Sequence, residues 1–193
     1  MSIIIIDYGA GNTKSVQFAC NRLGYHPVLS NNIEIIQAAD KVIFPGVGHA
    51  SNAMKMLRES GLDLIIPTLK QPVLGICLGM QLLCTATEEG GTKGLGVFDV
   101  QVKRFSEGVK VPQMGWNTIS NLKTNFFIEI KNNAYMYLVH SYYAELCAET
   151  IAQTTYGVTY SSALNKDNFY GVQFHPEKSS GEGESVLRNF LNL

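Results

Sequence analysis

Apolar residues fall into two alternating rhythms along the first half of the chain. Ile3 to Ile6 is apolar at every position, which predicts a strand buried on both faces, as in a parallel sheet. After the turn Asp7-Tyr8-Gly9-Ala10-Gly11-Asn12, residues Val16, Ala19, Cys20 and Leu23 recur at helical spacing, and the pattern stops at Gly24. Pro27 to Leu29 reads as a second strand and Ile33 to Ala39 as a short helix. Lys41 to Phe44 reads as a third strand, ending in the loop Pro45-Gly46-Val47-Gly48. Helical spacing returns from Ser51 to Glu59 and from Leu62 to Leu69. The strand Pro72 to Ile76 then feeds Cys77 and a helix over Leu78 to Thr87. This alternation predicts a doubly wound, mainly parallel α/β sheet.

Downstream the rhythm changes. Val97–Phe105, Ala134–Ala144, Thr150–Tyr156 and Tyr170–Phe174 read as strands with few helices between them, which predicts an antiparallel extension of the sheet. A helix over Glu184 to Leu193 closes the chain. There is no internal repeat, linker or low-complexity segment, so residues 1–193 are expected to form one domain of flavodoxin-like, doubly wound architecture.

Composition narrows the function. Fifteen basic residues against sixteen acidic ones give a net charge of −1, with no basic run to offer a nucleic acid or an anionic membrane, so a small-molecule substrate is expected. No stretch approaches the roughly 18–20 apolar residues of a transmembrane helix, and the N-terminal residues lack a basic n-region. The four cysteines are scattered without a Cys-x-x-Cys pair, and the four histidines show no ligand spacing. Neither a disulfide framework nor a metal site is expected, and a reducing cytoplasm is the simplest home. No cofactor is implied.

One cysteine stands apart. Gly75-Ile76-Cys77-Leu78-Gly79 has the form G-x-C-x-G between an apolar strand and an amphipathic helix. A sharp strand-to-helix turn lifts a nucleophile clear of the sheet and needs small neighbours where backbones close in. The helix N-terminus favours a thiolate, and the Leu78 N–H is set to donate to an oxyanion. Cys20 and Cys84, expected mid-helix, and Cys147, expected in a strand, lack such glycines and read as inert. A cysteine nucleophile needs an imidazole and a group to hold the ring. His175 in Phe174-His175-Pro176-Glu177 is favoured over His140, because residues i and i+2 of an extended segment share a face and bring Glu177 to the ring. Pro176 stiffens the pair. The loop Pro45-Gly46-Val47-Gly48 is either a second oxyanion donor, through Val47 and Gly48, or simply a tight turn.

Taken together, Pro45-Gly46-Val47-Gly48, Gly75-Ile76-Cys77-Leu78-Gly79-Met80-Gln81 and Phe174-His175-Pro176-Glu177 resemble, in order and spacing, the three blocks of class I (triad) glutamine amidotransferases. Within that family the opening turn, Pro112-Gln113-Met114-Gly115-Trp116-Asn117, Val139-His140-Ser141-Tyr142 and His175-Pro176-Glu177-Lys178-Ser179 are similar to the glutaminase subunits of imidazole glycerol phosphate synthases. The resemblance implies attack by Cys77 on the side-chain amide of glutamine, giving a thioester and ammonia. It further implies that Gly48, Gln81, Glu89, Ser141 and Tyr142 hold the glutamine head group. Asn12, Gln113, Trp116, Tyr137 and Lys178 would then face a synthase partner, a (β/α)8-barrel cyclase forming a heterodimer. One departure is Gln113, where such relatives usually carry His: glutamine hydrogen-bonds but cannot titrate.

The amidotransferase blocks use up the chain, and no Walker loop appears, so a separate acceptor enzyme is expected. Other readings remain: a glutaminase serving a sugar-modifying synthase, a γ-glutamyl peptidase on the same elbow, or a non-enzymatic flavodoxin-like binding module.

Overall fold

The computed structural model describes all 193 residues. Its first half follows the predicted alternation: β1 (Ile3–Ile6), α1 (Thr13–Arg22), β2 (Val28–Ser30), α2 (Ile33–Gln37), β3 (Lys41–Gly46), α3 (Ala50–Glu59), α4 (Leu62–Ile65), β4 (Val73–Cys77) and α5 (Leu78–Leu83). The second half is mostly strands: β5 (Cys84–Thr87), β6 (Thr92–Lys93), β7 (Phe98–Arg104), β8 (Gln113–Ile119), β9 (Ala134–His140), β10 (Tyr142–Ala144), β11 (Thr150–Tyr156), β12 (Val158–Lys166) and β13 (Phe169–Val172), closed by α6 (Ser180–Leu191).

Eleven strands form one sheet in the order β2-β1-β3-β4-β13-β12-β10-β7-β5-β6, with β11 paired to β12. From β2 to β13 all neighbours are parallel; β13, β12, β10 and β7 then pair antiparallel, as the extension requires. Successive residues of β1 alternate between faces. Ile3 and Ile5 pack with α1 and α6, while Ile4 and Ile6 pack with α2 to α5. The all-apolar run that predicted burial on both faces is therefore a centre strand with a hydrophobic layer on each side.

Several boundaries differ from the sequence expectation, each for a physical reason. The helix after Cys77 ends at Leu83 rather than Thr87. Residues 84–87 form an extended strand beside β7, where Thr85 donates its hydroxyl to the Val100 carbonyl at 2.8 Å, so Cys84 opens a strand instead of lying mid-helix. Cys147 lies in the loop before β11 rather than in a strand. The expected strand Ala134–Ala144 is two strands: β9 pairs with β8 in a separate ribbon, whereas β10 joins the main sheet after a break at Ser141. The strands β8 and β12 have no counterpart in the expectation. The closing helix begins four residues before Glu184, at Ser180. The β8–β9 ribbon packs Ile119, Ala134, Met136 and Leu138 onto the layer of α1 and α6 and leaves its other face outward.

The topology positions the chemistry. β3, β4 and β13 are parallel neighbours in matched register, with Gly46 opposite Cys77 and Val172 opposite Ile76. The segments that follow them therefore emerge together at one carboxyl edge of the sheet, the usual position of ligand sites in open α/β sheets.

Candidate active site

Cys77 is the last residue of β4 and the residue capping α5, with φ +54° and ψ −110°. A non-glycine residue in that region stores strain and persists only where packing over-determines it. Here glycines supply the packing. A Cβ on Gly79 would overlap the Phe44 carbonyl oxygen of β3, and one on Gly75 would lie 2.9 Å from the Met80 backbone nitrogen. A Cβ on Gly46 would lie 2.8 Å from the Gly79 nitrogen. The first turn of α5 thus rests directly on the backbones of β3 and β4, and the thiol stands at the turn, 7% exposed.

His175 follows β13 and donates its backbone N–H to the Tyr137 carbonyl at 2.9 Å. Its Nδ1 lies 2.9 Å from Oε1 of Glu177, whose side chain is 2% exposed and whose Oε2 has no donor within the chain. Burial alone lowers the basicity of the ring, but hydrogen bonds to Cys77 and Glu177 and their negative charge outweigh it and raise His175 to about 10. These contacts favour the protonated ring between the sulfur and the carboxylate. Ser179 fastens the turn: its hydroxyl donates to the His175 carbonyl at 2.7 Å and accepts from the Tyr137 N–H at 2.9 Å.

A cavity of about 340 Å³ opens over the sulfur, and its wall includes Val47, Gly48, Leu78, Gln81, Glu89, Ser141 and Tyr142 together with His175 and Lys178. Every residue expected to bind the head group is there. The N–H groups of Val47 and Gly48 make no hydrogen bond within the chain and so remain free to donate, with Gly48 at φ +98°. The hydroxyl of Tyr8 donates to the Pro45 carbonyl at 3.2 Å and anchors the base of that loop. Glu89 does more than line the cavity, since its Oε2 accepts from the Ala50 N–H at 2.8 Å and so caps α3.

His140 is engaged elsewhere. Its Nδ1 lies 2.7 Å from the Tyr142 carbonyl and its Nε2 3.2 Å from the Tyr160 hydroxyl, and burial lowers it to about 4, so the ring is neutral. Tyr160 also bonds Gln113 at 2.9 Å. Gln113, expected at a partner surface, is buried and faces inward onto this network. Residues the sequence reading passed over are Tyr160 and Gln173, both fully buried; Gln173 reaches Cys77 and Gln81 from within what read as a plain apolar strand end. Its spacing two residues before His175, on the same face of an extended segment, is the signal that could have found it. Burial also raises the thiols of Cys20, to about 12, and of Cys84 and Cys147.

The other four residues expected at an interface reach the surface, Asn12 and Lys178 beside this cavity and Trp116 and Tyr137 on the β8–β9 ribbon. Asn12 caps α1 beside Val47, Lys178 is exposed at the rim, and Trp116 stands opposite Tyr137 across the ribbon with ring centroids 5.9 Å apart. Met114, Trp116 and Tyr135 on the outward face are all more than half exposed.

The sequence model of the family Glutamine amidotransferase class-I matches residues 4–193. Imidazole glycerol phosphate synthase subunit HisH of Bacteroides fragilis (strain YCH46) is 52% identical, with the whole of both chains aligned; the protein of the same name from Pectobacterium atrosepticum is 48% identical over the same extent. Among solved structures, a glutamine amidotransferase from Thermotoga maritima shares the fold, with a TM-score of 0.68 at 17% identity, covering 100% of this chain and 96% of that one.

Proposed function

The chain belongs to the class I glutamine amidotransferase family, and from that premise we propose that it is the glutaminase subunit of an imidazole glycerol phosphate synthase, hydrolysing glutamine to glutamate and ammonia for histidine biosynthesis. The observation that carries this reading is the convergence of Cys77 and of His175, held by Glu177, on a cavity lined also by the Val47–Gly48 loop and the head-group residues Gln81 and Glu89.

The geometry supports a two-stage reaction. Cys77 Sγ attacks the amide carbon of glutamine, and the carbonyl oxygen becomes an oxyanion facing the N–H groups of Leu78 and of the Val47–Gly48 loop. His175, already protonated, gives its proton to the departing nitrogen, which leaves as ammonia when the C–N bond breaks. A water then attacks the thioester with His175 taking its proton, and the C–S bond breaks to release glutamate. Glu177 holds the ring throughout. Gln81, Ser141 and Tyr142 orient the α-carbon end, and the carboxylate of Glu89 faces the substrate ammonium group. Residues 1–193 act as one amidotransferase domain.

The partner is a cyclase subunit in a heterodimer, working in the cytoplasm. Ammonia released to neutral water is protonated and lost as a nucleophile, so an acceptor enzyme must cover the exit. The apolar outward face of the β8–β9 ribbon, with Asn12 and Lys178 at the rim, supports docking there. No helix is long and apolar enough to cross a membrane.

Glutaminase turnover of wild type and Cys77→Ala, each with the cognate cyclase, tests the reading. The variant is expected to lose at least about 10⁴-fold in kcat, as covalent catalysts do without their nucleophile. Retained turnover overturns the assignment.

A further inference from the structure

Four groups form a chain whose polarity is set at one end. The Tyr142 carbonyl can only accept, so the side chain 2.9 Å from it, Gln81, must present its Nε2. The same Nε2 lies 2.8 Å from Gln173, which must therefore present its Oε1. The other end of the Gln173 amide is then Nε2, and it points at Cys77 Sγ from 3.7 Å. His140 supports the start of the chain, since its Nδ1 lies 2.7 Å from the same Tyr142 carbonyl. Neither amide can flip without setting two acceptors or two donors against each other, and both glutamine side chains are buried.

The sulfur thus faces two donors from one segment, with the Val139 carbonyl as an acceptor 3.8 Å away on β9. His175 and Gln173 are two residues apart on the extended segment after β13, and both side chains reach Cys77. We propose that Gln173 is a positioning residue for the nucleophile: its N–H holds the Cys77 sulfur in the charged form, and Gln81 holds Gln173. One amide then links the residue that receives the substrate head group to the atom that attacks it. This rests on Cys77 being the nucleophile. Donation to a thiolate is charge-assisted and stronger than donation to a neutral thiol, so its loss disfavours the reactive form.

The test is the pH profile of Cys77 alkylation by iodoacetamide in the full chain, followed on the Cys77 peptide, with half-buried Cys147 as an internal reference. Gln173→Met removes the amide at similar volume. Gln173→Glu keeps the shape and the acceptor for Gln81, and its ionised form turns an acceptor to the sulfur. Both profiles are expected to move to higher pH, with alkylation at neutral pH roughly tenfold slower and kcat with the cyclase about tenfold lower. Cys147 alkylation should stay as in wild type. Profiles that superimpose on wild type overturn the proposal, and a lowered melting temperature with an unmoved profile does the same by assigning Gln173 to packing. Failure of the premise is read separately, as retained turnover in Cys77→Ala.

Discussion

Residues 1–83 and residues 84–193 build one site by different means. The first half sets the nucleophile and the oxyanion loop by pressing backbone on backbone: α5 lies on β3 and β4 with no side chain between them at Gly46, Gly75 and Gly79. The second half has one such contact at the His175 turn, at Gly183, and otherwise sets the base and the head-group wall through side chains: Tyr160 to Gln113 and His140, Gln173 to Gln81 of the first half, and Ser179 to both Tyr137 and His175. A backbone contact tolerates one residue type and has no alternative partner. A hydrogen-bonded side chain can be replaced by another of the same reach, so its loss costs less and is spread over its neighbours.

Gly79→Ala breaks the first mode. Its Cβ would meet the Phe44 carbonyl, so α5 must lift off the sheet and Cys77 must leave its strained turn. A loss of about 3 kcal/mol or more in chemical denaturation is expected, with turnover abolished in whatever folds. Gly181→Ala is the control from the other half. Its Cβ meets nothing within 4 Å in an ordinary helical conformation, so it should stabilise the chain by about 0.5–1 kcal/mol. Equal effects at the two positions would erase the distinction.

The same difference decides what was legible in the sequence. The apolar run Ile3–Ile6, the glycines around Cys77 and the helical spacing of α1 are local signals, and each led to an element at nearly its observed position. β12 hid because Ser161 and Ser162 sit in it fully buried, and β8 because Gly115 interrupts it. The start of α6 hid behind Gly181 and Gly183; a Cβ on the latter would overlap the Pro176 carbonyl, so that glycine is needed to bring the helix onto the His175 turn. Among site residues, those in short motifs converge on the cavity. Tyr160 acts through a partner dozens of residues away, which no spacing reveals, whereas Gln173 shows only in its place two residues before His175 and its link to Gln81 does not.

A pH profile probes the base directly. His175 is raised to about 10 against burial by its bonds to Cys77 and Glu177, so the protonated ring persists through neutral pH and is lost as pH rises through that value. The kcat of the cyclase-bound enzyme should therefore hold through the neutral range and fall on an alkaline limb near pH 10. Glu177→Gln removes one of the two groups that raise the ring. The limb should move to lower pH, with kcat down about 10²-fold at neutral pH. A limb that stays in place would mean Cys77 alone holds the proton. His140 should add no acid limb between pH 5 and 7, since burial lowers it to about 4.

Two buried hydroxyls of β12 give the smallest and most discriminating effects, because their expected signs are opposite. Tyr160→Phe keeps the ring packed but withdraws the hydroxyl shared by Gln113 and His140, leaving both buried with an unmet polar atom. A loss of about 1–3 kcal/mol is expected, with kcat changing less than in Glu177→Gln because the network touches Cys77 only through Gln81 and Gln173. Ser162 lies in the same strand, equally buried, but its hydroxyl has no partner within the chain. Removing a buried polar atom that bonds nothing relieves its desolvation cost, so Ser162→Ala should leave stability unchanged or raise it by up to about 1 kcal/mol. Denaturation of the two variants under one condition separates hydrogen bonding from mere burial as the force that sets the second half. If both lose stability alike, packing in β12 holds that half and the Tyr160 bonds are incidental to it.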